Sequence, residues 1–247
     1  MKWILVSLAI WNIGGALLRM FRILLEGLPV IRNLYPKRDS LSLDEASDLE
    51  LSVAAKVRYR TAVDELTRRV GMRSPELRCS LKPAMLAGTR GWRRHQLQLS
   101  RGILRHASDR ELLAIVAHEL GHIYYRHFAV LRIVELLAAL AYARVVYGLW
   151  GAHFAWYTSL GIWSLLDFSF SLSRLATGSA TELMADHFAA HKLNLAEELS
   201  QGLMRAQCFN GVTEFTQITH FYPTVRLRVR LLSRYARSLG ARGLAYR

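Results

Sequence analysis

The sequence predicts a mainly helical α+β protein. Three observations carry that expectation. Ser/Thr-x-x-Glu pairs open apolar-periodic segments, which is how helices start. Three short strand-like pieces cluster between residues 76 and 100, enough for one small sheet. A long, nearly uncharged block at 128–172 reads as helical rather than extended, because its apolar run far exceeds strand length.

The chain has 247 residues, of which 52% are hydrophobic, and it still carries a formal net charge of +14 from 33 Lys and Arg against 19 Asp and Glu. Apolar and basic together point to a membrane protein with a positive cytoplasmic face. A nucleic-acid binder is the rival reading, but the Arg residues are scattered and no basic run with interleaved aromatics occurs. Cys79 and Cys208 lie far apart and outside any C-x-x-C, which excludes a zinc ribbon or finger and leaves free thiols favoured over one disulfide.

Residues 1–31 are expected to form an N-terminal membrane anchor. Trp3 to Leu18 carries no charge, and the apolar character continues to Leu25, with Arg19 and Arg22 placed to snorkel. A secretory signal is the alternative, but only Lys2 precedes the run and no A-x-A site follows. Residues 32–45 read as a linker. The remainder, 46–247, reads as one domain with an apolar helical hairpin at 128–172 inserted into it.

Ser42-x-x-Glu45 and Ser47-x-x-Glu50 are capping boxes ahead of a helix with Leu49, Val53, Val57, Val63, Leu66 and Val70 on its apolar side. Gly71 is its natural stop. Strands are expected at 76–81, 84–88 and 95–100, with Thr89-Arg90-Gly91 as the turn between the last two. Ser108-x-x-Glu111 starts a further helix through Leu112, Ile115, Val116 and Ile123. Within the block that follows, Val145 to Leu166 contains no Asp, Glu, Lys or Arg, and the turn of the hairpin is expected near Gly148 to Gly151. Five Trp and Tyr between Tyr147 and Trp163 suit a membrane interface, whereas Arg144 argues against full spanning, so both a transmembrane hairpin and core helices stay open. The basic tail after Asp186 is expected to be helical.

The helix opened by Ser108 carries His118-Glu119-Leu120-Gly121-His122. Residues i and i+4 share a helix face, so His118 and His122 can aim two imidazoles at one ion. Zinc accepts neutral imidazole, and a catalytic zinc needs a third protein ligand and an open position. Glu119 stands one step round, placed to take a proton from a metal-bound water without ligating the metal. No His stands six residues after His122: Phe128 holds that place and His127 is one short of it. A Glu from a later helix is the remaining source, and Thr181-Glu182-Leu183-Met184-Ala185-Asp186 supplies Glu182, with Asp186 one turn on to orient a ligand imidazole through its other nitrogen.

With these motifs in order, the chain resembles the HtpX and CAAX prenyl protease family of membrane zinc metallopeptidases, a branch of the gluzincins, over roughly residues 46–235. The motifs are a helix ending in VGM, then PAMLAG, LSRGILRHASDRELLAIVAHELGHIYYRH, an apolar block, and E-x-x-A-D at Glu182 to Asp186. The resemblance implies a zincin-like metallopeptidase domain, one Zn2+ per chain on His118, His122 and Glu182, and Glu119 as the catalytic carboxylate. It implies a further active-site His at His220, and Arg228, like Asp186, in the shell behind the ligands. Two extra residues separate His220 from Pro223-Thr224 and Arg228-Val229, compared with the family pattern. Pro83-Ala84 stands where the family has Asn-Ala on the edge strand, and Gly178 and Ser179 where it has Ser-Arg.

The expected activity is membrane-associated, zinc-dependent endopeptidase hydrolysis of membrane or misfolded polypeptides. The expected partners are a polypeptide substrate and the lipid bilayer, without nucleic acid. The substrate is expected to add as a β-strand along Ala84 to Gly88. Arg19, Arg22, Arg32, Lys37 and Arg38 place the domain on the cytoplasmic side, in a bacterial inner membrane. Two rivals remain: a membrane scaffold with a vestigial metal site, and a DNA-associated zinc protease.

Overall fold

A computed structural model describes residues 40–46, 51–91, 94–150, 156–211 and 223–245. The expected anchor, the Ser47-x-x-Glu50 box and His220 all lie outside these residues. Two compact units divide what is described: 133–150 with 156–172 form one, and the remainder forms the other.

In the larger unit, four strands make one mixed sheet: β1 (Ser40–Ser42), β2 (Glu76–Ser80), β3 (Ala87–Arg90) and β4 (Gln96–Ser100). Their order is β1-β2-β4-β3. The β2–β4 pair is parallel, while β1 and β3 flank it antiparallel. Ser40 to Ser42, expected in a linker, are therefore an edge strand. Leu97 and Leu99 of β4 are fully buried between half-buried Gln96 and Gln98, the alternation of a strand with one face in the core. β3 begins at Ala87 rather than at Ala84, so Thr89 and Arg90 belong to the strand, and the turn falls after them at Gly91. There φ is +91°, and a Cβ would lie 2.0 Å from the Arg94 carbonyl oxygen, so only glycine fits.

Seven helices accompany the sheet among the described residues: α1 (Val53–Val70), α2 (Arg101–His106), α3 (Asp109–Tyr124), α4 (His127–Trp150), α5 (Trp156–His187), α6 (Ala196–Asn210) and α7 (Val225–Ala245). Ser42 and Glu45 do exchange the two bonds of a capping box, but they close a turn. The cap of α1 is Ser52, whose hydroxyl accepts from the Ala55 N–H. The buried face agrees with the expected one only in part. Val53 and Val57, expected to be buried, are 59% and 56% exposed, while Ala55, Tyr59, Ala62, Val63 and Leu66 enter the core. Gly71 ends α1 in the left-handed conformation.

A full capping box at Ser108 and Glu111 opens α3, the central helix of this unit. Its residues from Ala114 to Gly121 are all buried. Tyr59 fixes α1 to the sheet through a hydrogen bond from its hydroxyl to the Leu97 carbonyl. Asn210, the last residue of α6, holds the segment before β3: its side chain accepts from the Met85 N–H at 2.8 Å and donates to the Met85 carbonyl at 2.9 Å.

α4 remains helical through Gly148 to Trp150, so a turn at Gly148 is not observed, and residues 151–155 lie outside the description. No helix among the described residues is long and apolar enough to cross a membrane. α4 nonetheless leaves Val130, Ile133, Leu136, Leu137 and Leu140 exposed, an i, i+3, i+4, i+7 stripe.

Candidate metal centre

Two helices build the site. α3 carries His118, Glu119 and His122, and α5 carries Glu182 and Asp186. Their approach is close because α3 presents Gly121 at the crossing. A Cβ there would come within 3.0 Å of the Ala185 Cα and 3.2 Å of the Phe188 Cβ. Immediately after Asp186 and His187 the helix widens into a π-turn at Phe188–Lys192, with Phe188, Ala189 and Ala190 buried.

At the crossing three donor groups converge. Nε2 of His118 and Nε2 of His122 are 3.2 Å apart. Glu182 sets one oxygen 3.4 Å from the first and the other 3.5 Å from the second. In a tetrahedron with bonds of about 2.0–2.1 Å, donors stand about 3.3–3.4 Å apart. This is the spacing of the three groups here, which are the one such cluster among the described residues. The donor set, two imidazoles and a carboxylate, is one that zinc accepts with a fourth position left open.

Behind the donors lies a buried charge network. Asp186 sets Oδ1 2.9 Å from Nδ1 of His118. Arg228 of α7 grips Asp186 with two bonds, Nε to Oδ2 at 2.7 Å and Nη2 to Oδ1 at 2.6 Å, and reaches Glu182 through Nη1 at 3.2 Å. Arg228 is only 8% exposed, and a guanidinium buried to that degree needs such partners. Thr224, one turn earlier, caps α7 by accepting from the Leu227 N–H. His220 is outside the described residues.

The electrostatics follow from burial set against these contacts. Burial opposes charge on Glu182, but the hydrogen bond and charge of His118, with Arg228 beside it, hold its carboxyl down at about 2. Asp186 is held low in the same way by Arg228 and His118. Burial alone would make His118 less basic, yet the hydrogen bonds to Asp186 and Glu182 lift it to about 10 in the metal-free protein. His122, buried and next to His118, falls to about 3 and is neutral. Glu119 differs from the other acids. Burial pushes it up to about 7, and no described side chain hydrogen-bonds its carboxylate. A dication at the three donors would balance the charges: with Arg228 it matches the three carboxylates Glu119, Glu182 and Asp186. A buried cluster of this kind fits zinc.

A cavity of about 320 Å3 opens beside His122, lined by Thr89 and Arg90 of β3, His95, Arg126 and Phe128 among others.

The family model for peptidase family M48 matches residues 56–236. The chain belongs to peptidase family M48. The likeness to HtpX and CAAX prenyl proteases read from the motifs is thereby borne out. No curated protein sequence matches it. Among solved structures it is similar to the crystal structure of S. mikatae Ste24p, with a TM-score of 0.58 and 16% identity over 94% of this chain and 65% of that one. At that identity the likeness speaks for an M48 fold, and the chain spans just under two thirds of that relative's length.

One participant escaped the sequence reading. His127 is 3% exposed, with Nδ1 2.9 Å from Nδ1 of His122. In an unbroken helix, residues five apart point about 140° away from each other. Here the helix breaks at Arg126, whose φ of +53° turns His127 back toward His122. A non-glycine residue in the left-handed region leaves little trace in sequence.

Proposed function

We propose that this M48 chain is a membrane-associated, zinc-dependent endopeptidase that cleaves extended segments of membrane or misfolded polypeptides. The observation that carries the reading is the convergence of His118, His122 and Glu182 beside a buried carboxylate, Glu119, that has no hydrogen-bond partner among the described side chains. His118, His122 and Glu182 would hold the zinc. Bound there, it supplies Lewis-acid polarisation of the scissile carbonyl and a more acidic water.

The rest is done by the chain's own groups. Glu119, whose carboxyl is lifted by burial to about 7 in the metal-free protein, is placed to accept a proton from the attacking water and to pass it to the leaving amine nitrogen. Asp186 accepts the Nδ1–H of His118 and so keeps that ring's Nε2 free for the metal. Arg228 keeps Asp186 and Glu182 ionised.

β3 is an edge strand with one side unpaired in the sheet. A substrate added along Ala87–Arg90 would satisfy that edge and run toward the cavity beside His122. Pro83 precedes this strand and removes no donor from it. Association with the bilayer is supported by the apolar N-terminal run and by the exposed stripe on α4. A scaffold with a vestigial metal site would have no use for Glu119.

The test uses Glu119→Gln and His118→Ala in the purified full chain. Glu119→Gln keeps one zinc per chain and loses about 10²–10⁴-fold in peptidase activity. His118→Ala loses the zinc. Undiminished cleavage by Glu119→Gln would move the base role elsewhere, and absence of zinc from both wild type and Glu119→Gln would reject the metal assignment.

A further inference from the structure

The proposed ligands leave one buried imidazole beside them unused. His127 packs face to face on Tyr125 with ring centroids 5.5 Å apart and meets His122 edge-on at 5.0 Å. The two Nδ1 atoms are 2.9 Å apart, so one donates and the other accepts. Which one donates follows from the far side of His122. Its Nε2 faces His118 at 3.2 Å and Glu182 at 3.5 Å, where the ion would sit. A ligating nitrogen carries no hydrogen, so neutral His122 must carry its hydrogen on Nδ1. The opposite direction would put a hydrogen on Nε2, in the place of the metal.

His127 is then the acceptor, and its own hydrogen lies on Nε2. That atom is buried and meets no acceptor among the described residues. A side chain present only to fill space would not leave a polar atom stranded. The stranded Nε2 makes sense if the acceptor at Nδ1 is what the position requires.

We propose that His127 is a positioning residue for the zinc site, accepting the Nδ1–H of His122 and thereby fixing the tautomer and ring orientation of that ligand. It does for His122 what Asp186 does for His118, with a neutral acceptor in place of a charged one. The left-handed turn at Arg126 is the device that delivers it. The inference rests on the reading of His118, His122 and Glu182 as ligands.

The experiment measures zinc affinity by chelator competition and the melting temperature of the metal-free full chain, for wild type and three variants. His127→Leu fills the site and removes the acceptor. His127→Asn can set Oδ1 where Nδ1 stood. His127→Gln reaches past that point. The expected result is a loss of about 10–100-fold in zinc affinity for His127→Leu, with a metal-free melting temperature close to wild type, since the stranded Nε2–H of His127 is exchanged for a stranded Nδ1–H on His122. His127→Asn stays close to wild type and His127→Gln weakens like Leu. If the Leu variant does not fold, the contrast between Asn and Gln decides alone. Wild-type affinity in His127→Leu, or equal affinities in Asn and Gln, would overturn the inference while leaving the zinc site standing. A wild-type chain that takes up no zinc would reject the site and this inference together.

Discussion

Gly121 shows how much one residue decides here. It occupies the fourth place of H-E-x-x-H, where the motif itself makes no demand, yet a Cβ would press on Ala185 at 3.0 Å. Gly121→Ala would push α3 and α5 apart at the point where their donors must meet. We expect a loss of about 1–3 kcal/mol in stability, as for other overpacked sites, and weaker zinc binding with it. Unchanged zinc affinity by competition titration would mean that the crossing can relax. Asp186 is the second decisive residue. Asp186→Asn keeps an oxygen that can accept from His118 but removes the negative charge that His118 and Arg228 both face, so zinc affinity should fall about 10–100-fold. Glu182→Ala, which removes a donor, should nearly abolish binding. Equal losses would make Asp186 itself a ligand, and no loss would make it a mere partner of Arg228.

At the scale of elements, α3 depends on how it starts. The Ser108 hydroxyl accepts from the Glu111 N–H, and the Glu111 carboxylate accepts from the Ser108 N–H at 2.8 Å and from Nε of Arg205 at 2.9 Å. Burial works against the charge on Glu111, but the Ser108 bonds and Arg205 together hold its carboxyl below the ordinary value. A carboxylate lowered in the folded state adds stability above its unfolded pKa, and that stability is lost as pH falls through the folded value. Glu111→Gln should therefore be less stable than wild type at pH 7, and the gap should close as acid titrates the carboxylate. Melting temperatures across that range check this, and a gap constant with pH would show that the charge contributes nothing. Asn210 plays the corresponding part for β3. Asn210→Ala frees Met85 and should raise KM more than it lowers kcat, because it loosens a proposed substrate strand and touches no proposed ligand. An effect confined to kcat would argue against β3 as the docking edge.

For the molecule as a whole, the apolar surface is the feature to be explained. Leu136, Leu137 and Leu140 of α4 and Leu165, Phe168 and Leu172 of α5 are all more than half exposed. Soluble surfaces rarely carry so many large apolar side chains together. We expect the chain to sediment with membranes and to resist alkaline carbonate extraction. A monodisperse protein in detergent-free buffer would show instead that these faces are covered by protein, and would reopen the nucleic-acid alternative that the charge of +14 allows.

The sequence by itself determined the chemistry that local periodicity can express. His118, Glu119 and His122 share one helix, so their relation follows from 3.6 residues per turn, and the Ser108 cap fixes where that helix begins. Glu182 and Asp186 are legible as a pair for the same reason. Strand alternation placed β4 within a residue, while β3 was read three residues early, because Met85 and Leu86 look like strand but are held by Asn210 and Ser100 from distant parts of the chain. The face of α1 was read correctly at Val63 and Leu66, while Val53 and Val57 in its first turns are exposed and Ala55 and Tyr59 take their place in the core. Only the tertiary structure decided which groups support the donors. The two-bond grip of Arg228 on Asp186 spans 42 residues, the Gly121–Ala185 contact joins two helices, and the turn at Arg126 reverses what helical spacing predicts for His127. Local order follows from neighbours along the chain, whereas a buried charge or an oriented imidazole is fixed by partners that only folding brings near.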